Sequence, residues 1–99
     1  MKENKVLYDL HADICKIFSN PIRIEILYHL KNQKLCVSEL ITKTNLSQAN
    51  ISQHLSIMKS REIISSKRKG KNVYYSLNNP HIIKALDLIQ KVLTDKIKK

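Results

Sequence analysis

Between Ser47 and Asn72 the chain sets a run of amides and hydroxyls directly before a run of cations. Ser47, Gln48, Ala49, Asn50, Ser52, Gln53 and Ser56 fall at helical spacing away from Ile51, Leu55 and Met58. One face of such a helix is apolar; the other is small, uncharged and rich in hydrogen-bonding groups. Amides pair in bidentate fashion with adenine and hydroxyls bond to several base edges, so the chemistry of this face is readout of bases in a major groove. Lys59, Arg61, Lys67, Arg68, Lys69 and Lys71 follow, opposed by Glu62 alone, and carry half of the chain's net charge of +10. Cations beside a base-reading face, with Asn72 closing the run, suit the gripping of phosphates. Either stretch by itself would be ordinary solvated surface. Their adjacency and order point to nucleic acid. His54 lies on the flank of the apolar stripe, where packing or a bond to backbone or phosphate suits it better than base reading.

A second group of reactive side chains is the pair of cysteines, Cys15 and Cys36. They are too few for a secreted disulfide scaffold and are not spaced as a zinc finger or redox pair. His11 and Cys15 stand at i and i+4 on one helix face, and together with Cys36 would make a thiolate-rich site for a soft metal ion. The same two thiols could instead be oxidised to one another or by a reactive sulfur species, which requires their Cα atoms within about 7 Å. The third reading is that both only pack, as free cysteines often do. His11, His29, His54 and His81 fall on different elements and no glycine-framed nucleophile accompanies them, so enzyme chemistry is not expected. With a single glycine there is no phosphate-cradling loop, and the fold requires no cofactor.

The elements that must hold these groups are short. The 99 residues, 42% hydrophobic, suffice for one small packed domain spanning 1–99 and argue against a disordered basic tail. The opening Met1-Lys2-Glu3-Asn4-Lys5 leads into a charged periodic segment, and no apolar run reaches the roughly 18 residues of a membrane span. A soluble cytoplasmic protein with a polyanionic partner is expected. Leu7, Leu10, Ile14 and Ile17 predict a first amphipathic helix over residues 5–18. Asn20-Pro21 ends it and starts a second, carrying Ile22, Ile26, Leu27 and Leu30 to about Lys31. Leu35-Cys36-Val37 leads to a brief third helix, with Ser38 as its expected cap and Thr44-Asn45 as its turn. Ser47 then caps a fourth, with Leu46 and Ile51 spaced as a hydrophobic staple.

From Ile63 the period becomes strand-like: Ile63–Lys67 and Asn72–Leu77 read as a hairpin joined by Arg68-Lys69-Gly70-Lys71, the lone glycine at its tip. A last helix after Asn79-Pro80 carries Ile82, Leu86, Ile89, Leu93 and Ile97. The whole is mostly α with a β-hairpin wing: a winged helix-turn-helix of five helices. Its first and last helices have apolar stripes too long for so small a domain to cover, which predicts a two-fold homodimer.

The stretch Leu46-Ser47-Gln48-Ala49-Asn50-Ile51-Ser52-Gln53-His54-Leu55, followed by Lys69-Gly70-Lys71-Asn72-Val73-Tyr74-Tyr75, resembles the ArsR/SmtB family of metal- and stress-responsive repressors. Ser19-Asn20-Pro21-Ile22-Arg23-Ile24-Glu25-Ile26-Leu27 and Leu35-Cys36-Val37-Ser38-Glu39-Leu40 extend the likeness over nearly the whole chain. The resemblance implies a homodimeric repressor that binds a palindromic double-stranded operator and changes its grip when an inducer binds. It also implies where an inducer would act. Ser38 stands where the family's third helix often has a second cysteine, which removes a ligand from an arsenite-type site. Cys36 and Glu39 match two of four positions of another family metal site, whose other ligands, on an N-terminal arm, are not expected here. A third site falls on Asn79, His81, Val92 and Asp95, of which only two are credible ligands.

The leading expectation is a repressor released by a thiol-directed signal at Cys15 or Cys36: oxidation, reactive sulfur or a soft metal. The alternative is a constitutive DNA-binding regulator whose cysteines only pack. A membrane-surface role for the basic last helix, with Lys84, Lys91, Lys96, Lys98 and Lys99, is the competing class; pairing of that helix with a partner helix is the preferred reading.

Overall fold

Asn20 and Pro21 separate the first two helices by capping chemistry. In the computed structural model, which describes residues 2–97, α1 (Lys2–Ile17) ends just before them and α2 (Pro21–His29) starts on the proline. Asn20 Oδ1 accepts from the amides of Ile22 at 2.9 Å and Arg23 at 3.3 Å, two of the donors that a helix start leaves without partners. The order continues β1 (Leu35–Cys36), α3 (Val37–Thr44), α4 (Gln48–Ser60), β2 (Ile64–Lys69), β3 (Asn72–Leu77) and α5 (His81–Ile97). The five helices and the wing are as expected; several bounds are not. α1 begins earlier than residue 5, and α2 stops at His29 with Leu30 as its C-cap. Lys98 and Lys99 of the basic last helix lie outside the described residues.

The third helix corrects two expectations at once. Its cap is Cys36 rather than Ser38, because Glu39, at the third helical position, accepts the Cys36 amide at 3.0 Å. That hydrogen bond holds the Glu39 carboxyl below its ordinary pKa. Leu35-Cys36 is also a strand: it pairs antiparallel with β3, Leu35 opposite Tyr75 and Cys36 opposite Tyr74. The sheet therefore has three strands in the order β1-β3-β2, where the hydrophobic pattern alone gives two.

The core lies where α2, α3 and α4 meet the inner face of this sheet. Ile26, Leu27, Leu40, Ile51, Leu55, Met58 and Ile64 are fully enclosed. α5 joins it through Ile83 and Leu86, with a hydrogen bond from the Tyr28 hydroxyl to Asp87 Oδ1 at 2.7 Å. Burial, followed by that acceptor and its charge, pushes the Tyr28 pKa up to about 12. Beyond Leu86, α5 runs clear of the core. Among the described residues, every large hydrophobic side chain left exposed is on α1 or α5: Val6, Leu7, Tyr8 and Leu10 on the first, Leu88, Ile89, Val92, Leu93 and Ile97 on the second. No described helix is long and apolar enough to cross a membrane.

Candidate nucleic-acid interface

The α3–α4 turn is built by its own side chains. Asn45 takes a left-handed conformation (φ 59°), which its short amide side chain tolerates, and its amide closes on the Ile41 carbonyl at 2.7 Å. Ser47 Oγ then accepts the Asn50 amide at 3.1 Å and starts α4 as predicted. Leu46 packs against the core cluster of which buried Ile51 is part, and the two hold the positions of a staple.

The consequence is a helix with its chemistry facing out. Ile51, Leu55 and Met58 are buried, whereas Ser47, Gln48, Ala49, Asn50, Ser52, Gln53 and Ser56 are all exposed. α4 ends in a Schellman arrangement: the Glu62 amide reaches the Lys59 carbonyl and the Ile63 amide the Met58 carbonyl, both at 3.0 Å. Glu62 supplies the left-handed residue (φ 60°), and Asn78 Nδ2 donates to its carbonyl at 2.7 Å. Only Arg61, Glu62 and Ile63 therefore separate the helix from the wing.

The wing is longer and its tip tighter than the sequence pattern suggests. β2 continues through Arg68 and Lys69, so Gly70 and Lys71 alone form the turn, with Lys69 paired to Asn72. Gly70 has φ 64° and Lys71 has no positive φ, the pattern of a type II′ hairpin, in which glycine is favoured at the first central position. Lys59, Arg61, Lys67, Arg68, Lys69, Lys71 and Asn72 are all exposed.

His54 leaves this set. Only 9% of it is accessible, and its Nδ1 lies 3.4 Å from Arg23 Nη1, whose Nε donates to the Ile17 carbonyl at 2.7 Å. An arginine can only donate, so Nδ1 accepts and the ring is neutral. Burial, then the Arg23 charge, lowers its pKa from 6.5. The unfolded chain takes up a proton near pH 6.5 that the folded His54 refuses. Stability is thus fully present above about 6.5 and falls as the pH drops toward the lower folded value. Urea midpoints measured between pH 7.5 and 5 should decline accordingly, and His54→Gln should flatten the slope; an unchanged slope would contradict this assignment. Arg23, which joins the end of α1 to α4, carried no signal in the sequence beyond its place after Asn20-Pro21.

The candidate sensor residues sit in different surroundings. Cys15 is exposed on α1, while Cys36 is buried at the cap of α3, with its Sγ 3.1 Å from Ser38 Oγ; both are free thiols. Glu39 is engaged by the Cys36 amide. Among the described residues no group of three or more histidines, cysteines and carboxylates is placed to hold a metal ion, so the set His11, Cys15, Cys36 and Glu39 is not a preformed site. Their compatibility in sequence came from helical spacing and family position, neither of which fixes how α1 lies relative to α3.

The sequence profile described as "Bacterial regulatory protein, arsR family" matches residues 20–66, from the α2 cap into the wing. Across 66 residues the chain is 41% identical to the transcriptional repressor SdpR of Bacillus subtilis, covering 67% of this chain and 73% of that protein. The chain belongs to the ArsR family. It is a winged helix-turn-helix transcriptional repressor of the ArsR/SmtB type, not an enzyme. The crystal structure of Rv0081 from Mycobacterium tuberculosis superposes with a TM-score of 0.82 at 31% identity, covering 93% of both chains. The solution structure of Mb0332 from Mycobacterium bovis, described as a homodimeric winged helix-turn-helix DNA-binding domain, gives 0.82 at 23% identity, over 99% of this chain and 91% of that one. In this ArsR-family frame, α3 and α4 are the helix-turn-helix and β2–β3 the wing.

Proposed function

We propose that this ArsR-family repressor acts as a homodimer on a palindromic DNA operator, with α4 reading bases in successive major grooves and the wings holding phosphates. The observation that carries the reading is the exposed, uncharged amide and hydroxyl face of α4, held three residues from an exposed basic hairpin. Ser47, Gln48, Ala49, Asn50, Ser52 and Gln53 are the base-side residues; Lys59, Arg61, Lys67, Arg68, Lys69, Lys71 and Asn72 face the backbone. The apolar faces of α1 and α5 supply the dimer contact, and Mb0332 is described as homodimeric. Two-fold symmetry would place the half-sites about 34–36 Å apart.

Release by a thiol-directed signal narrows to Cys15, the accessible thiol, on a helix of the proposed dimer contact. Cys36 would react only if the α3 cap opened. The second reading, constitutive binding with both cysteines inert, is favoured by the burial of Cys36.

Fluorescence anisotropy on the DNA upstream of the protein's own coding region, against a mixed-sequence duplex, tests the proposal. Tighter binding to the upstream DNA is expected, and equal affinity for both would overturn it. Lys69→Ala should weaken both duplexes alike and lower the salt slope by about one for each protomer bound. Oxidant, zinc, cadmium and arsenite are then added to the complex. Release that disappears in Cys15→Ser supports the thiol signal; indifference to every addition leaves the constitutive reading.

A further inference from the structure

The outer face of the sheet carries a basic cleft that joins the wing to a residue outside it, Lys34. The cleft is open, about 810 Å³, and lined by Lys34, Lys67, Arg68, Lys69, Gly70 and Tyr74. Among the described residues, four cations border it and no carboxylate does. The register explains how the wing lysines meet Tyr74, whereas Arg68, opposite Val73, alternates to the other face. Tyr74, on the central strand, stands opposite Lys67 of β2 on one side and Cys36 of β1 on the other, so these three share a face. Alternation along β2 returns Lys69 to that same face, and Lys34, which directly precedes β1, lines the cleft from the other side. Ile64, Leu77, Tyr75 and Leu35 belong to the opposite face, toward the core. Lys34 thus joins the wing across the sheet although thirty-three residues separate it from Lys67 in sequence.

We infer that this cleft is a phosphodiester site, in which Lys34 and the wing lysines straddle the DNA backbone over the half-exposed ring of Tyr74. The inference rests on the DNA-binding reading and extends the protein's contact to a residue outside both the helix-turn-helix and the hairpin. Three strands about 4.8 Å apart give the cleft a width of roughly 10 Å, enough to admit the phosphodiester backbone of one strand. An ammonium on each flank neutralises that backbone without reading its sequence. Tyr74 offers its hydroxyl as a hydrogen-bond donor to a phosphate oxygen or sugar.

The test uses the intact protein and a 40-base-pair mixed-sequence duplex, with anisotropy titrations at several salt concentrations. Lys34→Ala should lower the slope of log K against log salt by about 0.9 for each protomer bound. Lys91→Ala, on α5, should leave the slope at the wild-type value. Lys34 is exposed, and equal thermal melts of variant and wild type exclude loss of fold as the cause. A wild-type slope in Lys34→Ala, while the wild type still binds DNA, overturns the site and leaves the DNA-binding reading standing. Failure of the wild type to bind DNA at all would instead remove the reading beneath it. Inorganic triphosphate provides the remaining arm: Lys34-dependent binding of triphosphate together with an unchanged DNA slope would assign the cleft to a free anion and overturn its assignment to DNA.

Discussion

Leu93→Glu is expected to leave the protein monomeric and to reduce its affinity for operator DNA at least a hundredfold. Leu93 is half exposed on the part of α5 that extends past the core, in line with Ile89 and Ile97 and on the same helix as Leu88 and Val92. An apolar strip of this length, together with that of α1, is what two copies would bury. A carboxylate there must lose its hydration without a partner, at about 2 kcal/mol or more per copy. Two-fold symmetry repeats the cost, so the dimerisation constant should drop several hundredfold or more. Sedimentation equilibrium reads this directly. The core side of α5, at Ile83 and Leu86, is untouched, so circular dichroism should show wild-type helix content. A Leu93→Glu protein that sediments as a dimer and binds DNA normally would move the interface away from α5.

Gln53→Ala should remove sequence preference while sparing affinity for arbitrary DNA. Gln53 is exposed near the centre of the outer face of α4 and is the longest amide there besides Gln48, with a carboxamide suited to a bidentate contact with adenine. Loss of one such contact corresponds to about 1–3 kcal/mol of discrimination, roughly fivefold to 150-fold. Titrations of wild type and variant on upstream and mixed-sequence duplexes separate the two components. Affinity for the upstream DNA should fall toward the mixed-sequence value, and the salt slope should not change, since no phosphate contact is lost. Equal loss on both duplexes would show that Gln53 does not read bases.

The parts of the fold that could be read from sequence are those decided by local chemistry. Asn20 and Ser47 cap because a short side-chain oxygen there meets free amides, and Gly70 turns because a positive φ suits it; all three do so in the structure. The exposed face of α4 follows from Ile51, Leu55 and Met58 facing inward. What the sequence hid depends on partners distant along the chain. Leu35-Cys36 has no strand signature of its own and becomes one only by pairing with Tyr74 and Tyr75. Once it is a strand, Cys36 takes the cap from Ser38. Lys34 is carried to the wing for the same reason. His54 sits on the flank of the stripe, and only the presence of Arg23 from α2 decides that it faces inward. Helical spacing could align His11 with Cys15, but bringing either to Cys36 was a question of packing, and α1 and α3 leave one thiol in solvent and the other enclosed.

The three-residue joint between α4 and the wing, locked by the two Schellman bonds and by Asn78 on the Glu62 carbonyl, would make the proposed base-reading and phosphate-holding surfaces one bivalent ligand. Once α4 has entered its groove, the wing meets the adjacent backbone at an effective concentration set by a stiff connection, in the millimolar range or above that short linkers give. Two weak grips then multiply without any added contact. A small change in the tilt of α4 would be delivered to the wing undiminished, and both grips would fail together rather than in turn.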